Sequence, residues 1–363
     1  MNYFWVIGGG LLQVPLVETL RGMGINSIVS DASPDCICSS LCDLFLEIDI
    51  FDIESHIDHA NIITSQGNKI IGVLAAGIDA PVTMSVLAEH LNLPCVSSEI
   101  SKIVNNKGDF RRWMEVNGIE LPEFKEFKND EADELIEYLN KVETPFIIKN
   151  VDSSASRGTK IFYDRDPEEE IKIFNEACKV SRSDSCLVES VWQGTEHTVE
   201  TFFDIEGNFH KFFITDRFFD LSSGFPVETG LKNPTSLSKK EADECYDLAK
   251  RVSNKLGIKI GAAKFDMIFT SEGPRIIEMT TRLSGGFDCQ YLVPLATGKN
   301  ILKMAIQTSL GESFDPNLNL ISINNVGLTG SVWPDEGVIK SIEGVEQALE
   351  LDSVKQVFLR KQV

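Results

Sequence analysis

The chain has 363 residues, with 34 Lys and Arg against 55 Asp and Glu and a formal net charge of −21. Its 42% hydrophobic and 25% charged residues are ordinary globular composition, and its length suits two or three packed modules. Acidity this strong argues against nucleic acid and anionic membrane surfaces as partners, since both are bound through clustered Lys and Arg.

Residues 1–20 contain neither Lys nor Arg, so no secretory leader is expected, and no apolar run is long enough to span a bilayer. A cytoplasmic protein is the reading. Residues 3–7 form an apolar strand, Gly8-Gly9-Gly10 a turn, 14–23 an amphipathic helix ended by Gly24, and 25–30 and 69–75 further strands. This βαβ alternation predicts a parallel sheet covered by helices. Gly8 and Gly10 begin a G-x-G-x-x-G dinucleotide fingerprint, but Gln13 stands at the third glycine, which leaves a nicotinamide dehydrogenase the weakest reading. Eight cysteines include no CxxC pair; Cys36, Cys38 and Cys42 cluster without a nearby His and read as free thiols.

After Pro94, residues 98–118 read as two short helices, the second capped by Asn106. Strand 145–150, polar loop 151–157 and strand 158–163 follow, then helix 166–179, capped by Asp166 with Pro167 at its first position. Residues 187–189 form a strand, and 198–204 with 209–215 form a hairpin. Residues 220–238 read as a long functional loop, and Ser238 with Glu241 as a capping box. A last hairpin, 263–270 with 274–280, precedes helices near 288–310, and the tail shows a strand pattern at 354–359.

The last hairpin carries the sharpest chemical signal. A three-residue loop, 271–273, sets Thr270 opposite Pro274 and hence Asp266 opposite Glu278, with Thr280 opposite Lys264. Facing carboxylates in apolar strands repel, and a divalent cation between them removes the conflict. Oxygen ligands without His or Cys favour Mg²⁺ or Mn²⁺. A two-residue loop instead shifts the parity and turns one carboxylate to solvent. Mg²⁺ usually shares its coordination with phosphates, and the 151–157 loop offers Ser153, Ser154 and Ser156 as a cradle. Lys149, ending an apolar strand, and Lys107, opening a helix, are placed as phosphate partners would be.

In this order, Asn106-Lys107, Pro145-Phe-Ile-Ile-Lys149, the loop to Gly158, Leu187-Val-Glu189 through Glu196, Lys264-Phe-Asp266 and Ile277-Glu278-Met-Thr-Thr-Arg282-Leu-Ser-Gly-Gly286 resemble the ATP-grasp superfamily, notably its carboxylate–amine and carboxylate–thiol ligases. The resemblance implies an α/β and α+β protein: a Rossmann-like parallel-sheet domain (1–98), an ATP-grasp lid subdomain (99–186), a central subdomain (187–314) and a short C-terminal subdomain (315–363). It implies ATP and Mg²⁺ (or Mn²⁺) as cofactors. Lys107, Lys149, Ser153, Ser154, Ser156 and Gly158 would meet the phosphates; Glu189, Val191 and Trp192 the adenine; and Glu196 the ribose. Asp266, Glu278 and Thr280 would hold metal, Thr280 standing where the family usually has Asn. Arg282 would neutralise a developing acyl phosphate, with Lys149 the second catalytic candidate. Arg217, Glu228, Ser284 and Gly285 join Arg282 as substrate candidates. The expected reaction joins a small carboxylic acid to an amine with release of ADP and phosphate; a homodimer is an open option. A bicarbonate-dependent carboxylase and a catalytically silent ATP-binding protein are the alternatives.

Overall fold

The computed structural model describes residues 1–153, 157–315, 325–332 and 337–359. Ser154 and Ser156 lie outside the described residues. The chain divides into a large unit, Met1–Gly330, and a small one, Ser331–Val363. The small unit has one short helix among its described residues, after Gly344 at φ +85°. The strand expected at 354–359 is absent, and no described strand within that unit offers its backbone a partner.

The large unit opens with β1 (Asn2–Ile7), α1 (Val14–Gly22), β2 (Asn26–Asp31), β3 (Leu44–Glu47), α2 (Ile53–Ser65), β4 (Lys69–Leu74) and α3 (Pro81–His90). The sheet order is β3-β2-β1-β4 with every pair parallel, as the alternation requires. The glycine run is a tight turn. Gly9 N donates to Asp31 Oδ2 at 2.8 Å, and a Cβ on Gly9 would meet Cys36 Sγ at 2.4 Å. Gln13 is buried and donates to the Ala76 carbonyl at 2.5 Å.

Next come α4 (Ser98–Asn105), α5 (Lys107–Val116), β5 (Phe124–Lys128), α6 (Ala132–Leu139), β6 (Phe146–Asn150), β7 (Lys160–Phe162), α7 (Pro167–Val180) and β8 (Ser185–Ser190). The strands form an antiparallel sheet in the order β5-β8-β6-β7, packed on α6 and α7 through Leu135, Phe146, Ile173 and Phe174. Asn106 caps α5 and Asp166 caps α7, each accepting a backbone N–H from the first turn.

The third group is β9 (Thr195–Phe203), β10 (Phe209–Asp220), β11 (Val227–Asn233), α8 (Lys239–Leu256), β12 (Gly261–Thr270), β13 (Gly273–Thr280), α9 (Val293–Thr297), α10 (Ile301–Ser309) and β14 (Gly327–Gly330). Its six strands are antiparallel in the order β13-β12-β9-β10-β11-β14. One face presents Val199, Phe265, Met267 and Met279 to a core shared with Cys245, Ala249 and Val252 of α8. The opposite face carries the polar residues described below.

Two expectations change here. Within residues 220–238, Val227–Asn233 form β11, which pairs with β10 across a bulge between Phe218 and Phe219. That segment lacks an alternating apolar pattern because its two buried positions are Leu231 and Asn233, only one of them apolar. The last hairpin turns in two residues, not three, since Thr270 pairs with Gly273.

Candidate active site

Neighbouring strands place side chains of one face in rows across the sheet. Glu278, Asp266, Thr198 and Thr215 form one row through the pairs Asp266–Glu278, Asp266–Thr198 and Thr215–Thr198. Thr280, Lys264 and Glu200 form the next, and Ile268, Glu196 and Arg217 lie on the other side.

A two-residue turn alone would put Asp266 opposite Ile277. The pairing runs Met267–Ile276 and then Asp266–Glu278, so Ile277 is an extra residue on β13, and this bulge restores the facing carboxylates. The Ile277 carbonyl accepts from Arg111 Nη2 at 2.6 Å.

Asp266 is buried, and its Oδ2 is met by Lys264 Nζ at 2.6 Å and Arg217 Nη1 at 3.0 Å, while Thr198 donates to Oδ1 at 3.0 Å. Burial pushes its pKa up, but Arg217 and Lys264 outweigh that and hold the carboxyl well below the usual range. Arg217 also meets Glu228 at 2.8 Å and Glu196 at 3.8 Å, so one guanidinium gathers three acidic candidates. Burial raises Glu196, with Arg217 opposing.

The donors suit Mg²⁺. Glu278 and Thr280 border a pocket with Lys107, Ser153 and Arg282, and Thr280 Oγ1 is buried without a partner. Among the described residues no group of three His, Cys, Asp or Glu side chains is arranged to hold a metal ion by itself. Two acids and a hydroxyl fall short of an all-protein cage, which matches a cation that shares its shell with phosphates. Both cations meet Asp266 Oδ2, so Oδ1, met by the Thr198 hydroxyl, is the oxygen that would face a metal.

On the phosphate side, Lys107 Nζ donates to the Ser153 carbonyl at 2.9 Å and lies 3.8 Å from Glu278. Asp152 fixes the start of the loop by accepting from Ser181, Arg182 and Ser183. Gly158 has φ +58°, and a Cβ there would meet Ala177 Cα of α7 at 2.8 Å, so the loop's end needs glycine. Lys149 and Glu189 are buried together. Lys149 Nζ meets Glu189 Oε2 at 2.6 Å, and Arg111 Nε donates to Oε1 at 2.7 Å. Burial raises the Glu189 pKa, but Arg111 and Lys149 bring it below the ordinary value; burial lowers that of Lys149, with Glu189 opposing. Val191 N donates to the Pro145 carbonyl at 3.3 Å, in the connection between β8 and β9 that also holds Trp192.

Beyond β13, Arg282 Nη1 donates to the Leu283 carbonyl and Ser284 N to Glu200 Oε2 at 3.0 Å. Gly285 packs on Gly77 of the first sheet's β4–α3 connection, which is also tied by Gly77 N to the Leu283 carbonyl at 3.1 Å. A π-turn at Asp288–Leu292 follows, presenting buried Asp288 and Gln290.

Residues 142–290 match the family model described as ATP-grasp domain. The chain carries an ATP-grasp domain. An L-amino acid ligase structure from Bacillus licheniformis superposes on this fold with a TM-score of 0.81 at 21% identity, over 100% of this chain and 88% of that one. The N5-carboxyaminoimidazole synthetase of Staphylococcus aureus complexed with ADP does so at 0.73 and 15% identity, over 91% and 82%. In sequence, the uncharacterized protein y4rH of Sinorhizobium fredii is 23% identical over 94% of this chain and 70% of its own length. Carnosine synthase 1 of Homo sapiens is 22% identical over 84% of this chain, which spans 39% of that relative.

Within this ATP-grasp fold, Arg111, Glu200, Asp288 and Gln290 escaped the sequence reading. Two signals were present. Arg111 follows Phe110 and precedes Met114 on a helix face that is otherwise buried, and Glu200 shares its strand face with Glu196 and Thr198. Nothing local distinguishes Asp288.

Proposed function

We propose that the chain is an ATP- and Mg²⁺-dependent ligase that joins a small carboxylic acid to an amine through an acyl phosphate. The observation that carries this is the shared pocket of Lys107, Ser153, Glu278, Thr280 and Arg282, beside Asp266 on an ATP-grasp fold. When bound, Mg²⁺ supplies Lewis acidity at the phosphates and a template for them. Asp266, Glu278 and Thr280 would hold it.

Lys107 and Lys149 present cations to the α- and β-phosphates, and Ser153 lies beside Lys107 on the triphosphate side. The backbone near Val191 and Trp192 reads the base edge beside Glu189, and Glu196 takes the ribose hydroxyls. The substrate carboxylate forms a new O–P bond at the γ-phosphorus as the bond to the ADP oxygen breaks. Arg282 lies where the charge of that mixed anhydride develops. The amine then forms the C–N bond, phosphate leaves, and the amine loses a proton. The catalytic contribution is positioning and charge neutralisation. Arg217 and Glu228 border the substrate side, on β10 and β11.

A phosphate-release screen of acid and amine pairs, with ADP and AMP measured separately and products identified by mass, tests the reading. ADP formation that requires both acid and amine is expected. AMP formation would remove the acyl-phosphate route, and ADP formation driven by bicarbonate alone would make the chain a carboxylase.

A further inference from the structure

The third glycine of the dinucleotide fingerprint is Gln13 here, and the ATP site gives that residue no role. Gln13 is 1% exposed, and its Nε2 donates to the Ala76 carbonyl at 2.5 Å, 63 positions away. Ala76 is 0% exposed, so its carbonyl needs a protein donor. A glycine side chain could supply none. The residue that breaks the fingerprint therefore satisfies the connection between β4 and α3.

That connection reaches Arg282. Ala76 forms a parallel bridge with Leu283, beyond the end of β13. The Leu283 carbonyl accepts from Gly77 N at 3.1 Å and from Arg282 Nη1 at 3.1 Å. One oxygen thus joins the parallel-sheet domain to the guanidinium. The approach is close: a Cβ on Gly77 would meet Gly285 Cα at 3.2 Å. Asp79 of the same connection lines the pocket that holds Lys107, Ser153, Glu278 and Arg282. Arg282 Nε is buried without a partner, so the guanidinium is held at one nitrogen and keeps a donor for an anion.

We infer that Gln13 is a positioning residue for Arg282, acting through Ala76, Gly77 and the Leu283 carbonyl. The inference rests on the ligase reading above, which sets Arg282 at the transferring γ-phosphate. An arginine that neutralises developing charge works only in register, and misplacing such a group by about 1 Å costs roughly a hundredfold in rate. The parallel-sheet domain then shapes phosphoryl transfer from outside the ATP-grasp domain.

Calorimetry on the full chain tests this with two probes, MgADP and the magnesium salt of adenylyl imidodiphosphate, which adds a γ-phosphate. Arg282→Ala should leave MgADP affinity unchanged and weaken the imidodiphosphate by roughly tenfold or more. Gln13→Met keeps the side-chain volume and removes the donor. It should weaken the imidodiphosphate by roughly threefold to tenfold, again with MgADP unchanged. In the double variant Gln13→Met should add nothing to Arg282→Ala, because no guanidinium is left to position. If Gln13→Met fails to fold, as judged by circular dichroism, Gly77→Ala pushes the same contact apart and carries the test. Equal weakening of both probes, no weakening of either, or a full additive effect on Arg282→Ala overturns the positioning role. An Arg282→Ala variant with unchanged imidodiphosphate affinity removes Arg282 from the γ-phosphate and the inference with it. No MgADP binding overturns the ligase reading itself.

Discussion

Arg111 Nη2 donates to the carbonyl of Ile277, the residue that bulges from β13 and thereby brings Glu278 opposite Asp266. The same guanidinium donates to Glu189 at 2.7 Å and 3.3 Å. One buried side chain thus ties the candidate metal row to the Lys149–Glu189 pair.

Replacing Arg111 by Met removes a buried cation from a paired carboxylate and leaves the bulge carbonyl without its donor. We expect a loss of about 3 kcal/mol or more in urea unfolding. MgADP affinity should fall more than ADP affinity without metal, because the metal row loses its register. Equal losses with and without metal would count against a registering role.

The two facing carboxylates should differ in stability but not in turnover. Asp266→Asn strands Lys264 and Arg217 beside a neutral amide, so it should destabilise the fold by about 3 kcal/mol. Glu278, whose side chain is 40% exposed, should change stability by no more than about 0.5 kcal/mol as Gln. Both variants should abolish Mg²⁺-dependent ADP release. Repulsion between the two would favour either amide, but Lys264 and Arg217 already compensate Asp266.

Lys149→Ala should raise the KM for ATP roughly tenfold or more, the effect of losing a charged hydrogen-bond donor. Unfolding should also become easier, since Glu189 keeps only Arg111. An unchanged KM would confine Lys149 to a structural role.

Thr280→Val removes one oxygen and should raise the Mg²⁺ concentration needed for half-maximal turnover. Thr280→Asn offers a stronger carbonyl oxygen at the same place and should lower it. Steady-state titration with Mg²⁺ at saturating ATP decides both.

Glu200 gives the free protein a pH signature. Burial raises its folded pKa to about 7 from the ordinary glutamate value of 4.5, so the folded state binds the extra proton between those values. Stability is therefore favoured at low pH and lost as pH rises through that window, by about 3 kcal/mol in full. Glu200→Gln should flatten the slope in urea unfolding measured from pH 4.5 to 7.5, whereas an unaltered slope would assign it to other groups.

The caps Asn106, Asp166 and Ser238 were legible in the sequence because each is satisfied by a backbone N–H within its own first helical turn. The parallel sheet at the start was legible from the alternation of short apolar strands and helices. So was the identity of the two facing carboxylates, although a three-residue loop was the expected means of facing them.

Tertiary structure decided the rest, because it rests on contacts between distant parts of the chain. The turn has two residues, and the bulge that compensates for it is held by Arg111, 166 positions away. Arg217 reaches Asp266 across the sheet, and Ser284 N reaches Glu200 from 84 positions away. Local pattern fixes which face a side chain takes. Which charge meets it there depends on packing free energy gained over the whole fold.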